Sequence, residues 1–192
     1  MITMSISPVK RLILETVWVS EKPVKVTEIT KEVGLDPRSV RMHMMQLSRM
    51  GYLEATDDGS YLLTEKGRKA LGFPEIDYGK AAEILVYLPL EKSFHFYVDV
   101  GKPLNIHAAS LIDFCDKLLK VNLESIEFHM NRGDFEAWFA GLGDIELARK
   151  VFLLKEQKLV GEDLCKRLCE IVKNRCEELA KIRKNEAKAK PA

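Results

Sequence analysis

The sequence predicts an α+β chain, predominantly α, built in two parts. Three observations carry that prediction. Apolar residues recur at three- and four-residue spacing through most of the chain, in segments bounded by capping residues and glycine, as amphipathic helices are. Two short stretches, around residues 52–64 and 94–108, replace that spacing with strand-type alternation about tight turns. Turn-forming residues at Gly72-Phe73-Pro74 then separate a segment 1–72 from a linker 73–87, a mostly helical block 88–183 and a disordered tail 184–192.

A first helix is read in SPVKRLILETVWVS, with Val9, Leu12, Ile13 and Val17 on its apolar side and Pro8 in its first turn. A break at Lys22-Pro23 precedes VTEITKEVG, where Thr27 is the expected N-cap, Ile29 and Val33 the buried positions and Gly34 the stop. Asp36 caps a third helix with Pro37 at its first position, and Gly51 ends it. Its apolar stripe is Val40, Met44, Leu47 and Met50. The other face carries Arg38, Ser39, Arg41, Met42, His43, Gln46 and Arg49. A strand over 52–56, a turn at Asp57-Asp58-Gly59-Ser60 and a return strand over 61–64 form a hairpin, followed by a short helix in EKGRKAL.

In the second part, EILVYLPLEK suits a short strand or a helix. SFHFYVDVGKP alternates Phe94, Phe96, Val98 and Val100 with His95, Tyr97 and Asp99, as a half-buried strand does, and Gly101-Lys102-Pro103 turns the chain toward a partner strand over 104–108. Helices follow to the end. Ser110 caps SLIDFCDKLLKV, which buries Leu111, Phe114, Cys115 and Leu118; NLESIEFHMNRG, DFEAWFAGLG, DIELARKVFLLKEQKL and GEDLCKRLCEIVKNRCEELAKIRK come after it. At Arg132-Gly133-Asp134 and Leu142-Gly143-Asp144 a glycine ends one helix and an aspartate caps the next. The last helix sets Leu164, Cys165, Leu168, Cys169, Ile171, Val172, Cys176 and Leu179 on a face broad enough to pack on its own domain and on a second copy, which points to a homodimer.

Composition narrows the function. A chain of 192 residues, 46% hydrophobic, can bury one core or two small ones. It has no apolar run of about 18 residues and its N-terminus lacks the apolar segment of an export signal, so a soluble cytoplasmic protein is expected. Cys115, Cys165, Cys169 and Cys176 form no CxxC pair, and three of them share the apolar stripe of the last helix, so they read as small core hydrophobes. His95 and His107 stand alone, and neither a metal nor a cofactor is expected.

The order helix, helix, helix, hairpin, with SVRMHMMQLSRMGYLE leading into the hairpin and LTEKGRKAL, resembles the winged helix-turn-helix domain of archaeal and bacterial transcription regulators. The resemblance covers about residues 6–72. It implies that the third helix, 37–50, enters the major groove of double-stranded DNA while the hairpin lies along the adjacent backbone. Arg38, Ser39, Arg41, Met42 and Gln46 then face base edges, where arginine can read guanine and glutamine adenine. Lys25, Thr27 and Arg49 meet phosphates. Residues 1–72 hold eleven Lys and Arg against nine Asp and Glu, and the wing tip carries Asp57 and Asp58. So thin a basic footprint suits two copies in a symmetric dimer with the wing held off DNA, or a domain that docks on protein instead.

Residues 73–192 hold nineteen Lys and Arg against twenty Asp and Glu, with no basic patch. LPLEKSFHFY, GKP, ASLIDF, SIEFHMNRGDFEAWF and LGDIELARK resemble an uncharacterised, mainly archaeal domain over residues 88–150, with a shortened AGLG segment before Asp144; the resemblance implies a fold and no chemistry. Glu127, His129, Arg132 and Asp134 lie within eight positions and include an acid–base set. Glu127 and His129 point to different helix faces, however, and a histidine between Phe128 and Met130 is read first as a core-edge group bonded to a cap. Phe135, Trp138 and Phe139 read as core anchors, and an adhesive role for Arg-Gly-Asp would need export. The sequence therefore predicts a DNA-binding transcriptional regulator, not an enzyme, whose second part dimerises or senses an effector. The alternative is a protein-interaction adaptor that uses the winged helix to dock on another protein.

Overall fold

A computed structural model describes residues 6–189 of the chain, with side chains as far as Lys184. The fold is α+β and predominantly α, with helices throughout and two antiparallel two-stranded sheets among the described residues. The chain divides into two compact units, Met1–Glu75 and Ile76–Ala192.

In the first unit, α1 (Pro8–Ser20), α2 (Val26–Val33) and α3 (Pro37–Arg49) pack on one another, and a hairpin of β1 (Leu53–Ala55) and β2 (Tyr61–Leu63) closes against α1 and α3. The core is Ile13, Leu14, Val17, Trp18, Ile29, Val40, Met44, Leu47 and Leu53, with Trp18 against Phe73 at 4.6 Å. Leu12, expected inside, is exposed; Leu14 and Trp18 take that side of α1 because two helices and the hairpin cover a wider arc than a single stripe. Thr27 is not the cap of α2. The N-cap is Lys25, whose N–H donates to the Glu28 carboxylate at 2.8 Å, and Thr27 stays exposed one position inside the helix.

The hairpin pairs Leu53 with Leu63 and Ala55 with Tyr61, and Val24 adds a bridge to Tyr61 that the sequence did not signal. A short α4 (Glu65–Ala70) is capped by Thr64, whose hydroxyl accepts from Gly67 N–H and donates to Gly51 carbonyl. Gly67 is required there, since a Cβ would sit 2.4 Å from the Tyr52 carbonyl oxygen.

In the second unit, the expected linker 73–87 contains a helix, α5 (Tyr78–Ile84), capped by Asp77 and burying Ala81 and Ile84. EILVYLPLEK therefore divides between the end of α5, a loop and a single 3-10 turn at Leu90–Lys92. Strands β3 (Phe94–Asp99) and β4 (Lys102–Ala108) follow, paired with register shifts on either side of Tyr97. The strict alternation holds at Phe94 and Phe96 and lapses beyond, leaving Val100 outside the strand and exposed. Then come α6 (Leu111–Leu118), α7 (Leu123–Arg132), α8 (Asp134–Gly141), α9 (Ile145–Glu156) and α10 (Gly161–Ala189). Phe94, Phe114, Phe135, Phe139 and Trp138 form a ring cluster with centroid spacings between 5.1 and 5.7 Å.

α10 runs on as helix to Ala189, so the tail expected from residue 184 is helical over that stretch; residues 190–192 lie outside the described part. Its apolar face is covered within the unit by α5, α6, α7 and α9. That face does not by itself call for a second copy. No described helix is long and apolar enough to cross a membrane.

Candidate nucleic-acid interface

α3 is fixed from inside and open outside. Asp36 accepts from the N–H groups of Arg38 and Ser39, both at 2.9 Å, and Pro37 supplies the first-turn φ, so the helix starts at a defined residue. Val40, Met44 and Leu47 are fully buried, and Gly51 at φ 76° lets the chain leave the last turn. Rotation about the helix axis is thereby set, and the polar face has one possible direction.

On that face Arg38, Arg41, Met42, Met45, Gln46 and Arg49 line a shallow depression of about 270 Å³. Arg38, Arg41 and Arg49 are exposed, and among the described residues their side chains have no hydrogen-bond or ion-pair partner. Within α3 there is no acidic residue, and its thirteen residues carry three arginines, with the Asp36 carboxylate turned onto the backbone of the first turn. Gln46 and Ser39 are half-buried, and Lys25 and Thr27 lie exposed at the start of α2. All eight residues anticipated from the sequence are thus at least partly accessible, six of them on α3. Met45 was overlooked. It lies three residues after Met42 and four before Arg49, so the same helical spacing would have found it.

The hairpin turn keeps the negative charge that its sequence implies. Asp58 turns onto its own loop, where the Thr56 and Ser60 hydroxyls donate to it. The bond from Thr56 and those from Ser60 hold its carboxyl below the usual range. Asp57 remains exposed.

The polar cluster of the second unit is arranged differently. His129 is buried; its Nε2 accepts the Tyr97 N–H at 2.8 Å, and its Nδ1 then donates to Asp134 at 2.7 Å. Burial pushes its pKa down, outweighing Asp134, so the ring is neutral and both nitrogens are engaged. It stitches β3 to α7 where the strand register shifts, which leaves no free base. Asp134, expected to cap α8, instead takes its first helical position and accepts from His129 and Arg132; Gly133 is the N-cap. Glu127 accepts the Gly161 N–H at 2.7 Å and so holds the start of α10.

A second cluster escaped the sequence reading altogether. Arg175, fully buried on α10, donates from Nε and Nη2 to both oxygens of Asp144 at 2.7 and 2.9 Å, with Glu146 at 3.2 Å and Glu178 at 2.7 Å from Nη1. Burial alone would favour the neutral guanidinium; the Asp144 bonds outweigh it and hold the charge. The spacing of Arg175 from Leu168, Val172 and Leu179 places it on the apolar stripe, a signal masked by its residue type. The four cysteines are unpaired, and burial raises the thiols of Cys115, Cys165 and Cys176, the last to about 12, which leaves them protonated and unreactive at neutral pH. Among the described residues no group of three His, Cys, Asp or Glu converges on a metal-sized site.

Models of known families, curated proteins and solved structures contain no match to this chain.

Proposed function

We propose that the first unit is a winged helix-turn-helix module that binds double-stranded DNA with α3 in the major groove, and that the chain is a transcriptional regulator. One observation carries this: a helix locked by a buried apolar stripe presents three unpaired arginines and a glutamine, with no acid among them. A merely solvated helix face would mix signs. Arg38, Ser39, Arg41, Met42 and Gln46 serve as base-edge contacts, and Lys25, Thr27 and Arg49 position the backbone. A symmetric dimer would double these contacts, compensating for the small net charge of each copy.

In the second unit, a cavity of about 280 Å³ bordered by Phe94, Tyr97, Val100, Phe128, His129 and Arg132 gives an effector somewhere to bind. The engaged nitrogens of His129 favour a non-enzymatic reading.

The second reading, a protein-docking adaptor, draws support from Met42 and Met45, since exposed methionines suit adaptable protein surfaces. Titrating random-sequence duplex DNA over a salt series separates the two. DNA binding gives a log–log slope of roughly −2 to −4 per copy, about −0.9 for each phosphate neutralised. A slope of zero, or no binding at low salt, favours the adaptor.

A further inference from the structure

We infer that Met42 and Met45 read thymine methyl groups, so that the preferred DNA site carries neighbouring thymines beneath the middle of α3. This rests on the DNA-binding reading and adds the base preference. Of the three methionines in the run Met42-His43-Met44-Met45, Met44 is fully buried, while Met42 and Met45 are 48% and 45% exposed. With Arg38 four residues before Met42 and Arg49 four after Met45, the outward stripe reads Arg, Met, Met, Arg.

Charge complementarity fixes the partner of the ends, and groove chemistry fixes that of the middle. The floor of the major groove offers donors and acceptors at every base pair and a single apolar feature, the C5-methyl of thymine. Two apolar side chains held between two cations therefore have one favourable partner there. Met42 and Met45 are about 4.5 Å apart along the axis, close to the ~3.4 Å rise of one base step, so they reach successive base pairs. Unbranched thioether chains tolerate the residual mismatch. Arg38 and Arg49 at the two ends, their Cα atoms about 16 Å apart along the axis, reach phosphates or guanines on either side.

The test starts with the full chain and a random-sequence duplex library at low salt. Bound sites are expected to be enriched in adjacent thymines. Replacing those thymines by uracil removes only the methyls and should weaken the wild type about fourfold per methyl, the factor that a methyl-sized apolar contact supplies. The Met42→Ala, Met45→Ala double variant, which keeps its thermal transition because both positions are exposed, should be indifferent to the swap. Sites lacking thymine, or equal weakening of wild type and variant, would overturn the methyl reading while leaving DNA binding intact. A chain that retains no duplex at all defeats the DNA-binding reading itself.

Discussion

Two sets of arginines in this chain show how one residue type serves opposite ends. Arg38, Arg41 and Arg49 stand on the outer face of α3 with no partner among the described residues. Arg175 is closed inside the second unit with Asp144, Glu146 and Glu178 around it. In the first unit the core is apolar and the arginines of α3 are left for something external, while other surface charges such as Arg11 with Glu15 pair along their own helix. In the second, charges and polar groups are turned inward, Arg175 on Asp144 and His129 on Tyr97 and Asp134, and hold elements together. A function that needs charge is therefore best sought on α3, and mutational damage to folding at Arg175.

The largest effect is expected where that contrast is broken from inside. Arg175→Met takes from the buried Asp144 its bidentate cation and should cost about 3–5 kcal/mol in urea unfolding. Adding Asp144→Asn to the same chain should restore part of the loss, because the stranded carboxylate is then removed.

Next in size is the outer set. Arg41→Ala should weaken specific DNA binding by about 1–3 kcal/mol in fluorescence anisotropy. The same variant should leave unfolding within about 0.5 kcal/mol of wild type, as an exposed unpartnered side chain implies. If Arg41→Ala unfolded the chain as Arg175→Met does, the contrast would be void.

Smaller is Arg49→Ala, expected to lower affinity about equally for all sequences and to reduce the salt slope by about 1, the mark of one phosphate contact.

The smallest is a pH effect. Burial holds the folded-state pKa of His129 below its ordinary 6.5. As pH falls from about 6.5 toward that lower value, the unfolded chain takes up a proton that the folded chain refuses, so stability drops across this window and is fully present above it. His129→Gln should lose this component, visible as a shallower acid-side decline in urea midpoints relative to wild type.

Much of the first unit was legible because its signals are local. Asp36-Pro37 at one end and Gly51 at the other fix α3, and the stripe Val40, Met44, Leu47 fixes its orientation, so the residues of the candidate interface could be named individually. Thr27 misled because a threonine near a helix start is a common cap, whereas Lys25 with Glu28 supplies the backbone bond here. The linker expected at 73–87 hid α5, a helix of seven residues whose two buried positions, Ala81 and Ile84, are too few to show a period.

By itself, the sequence determined most of the helices, the two hairpins and the outward residues of α3, because periodicity and capping act within a few residues of chain. Only the tertiary structure decided that Arg175 belongs with Asp144 across 31 positions, that His129 is tied to Tyr97 across 32, and that the apolar face of α10 is covered within its own unit. Those pairings depend on desolvation and on packing between distant segments, which leave no spacing in the sequence to read.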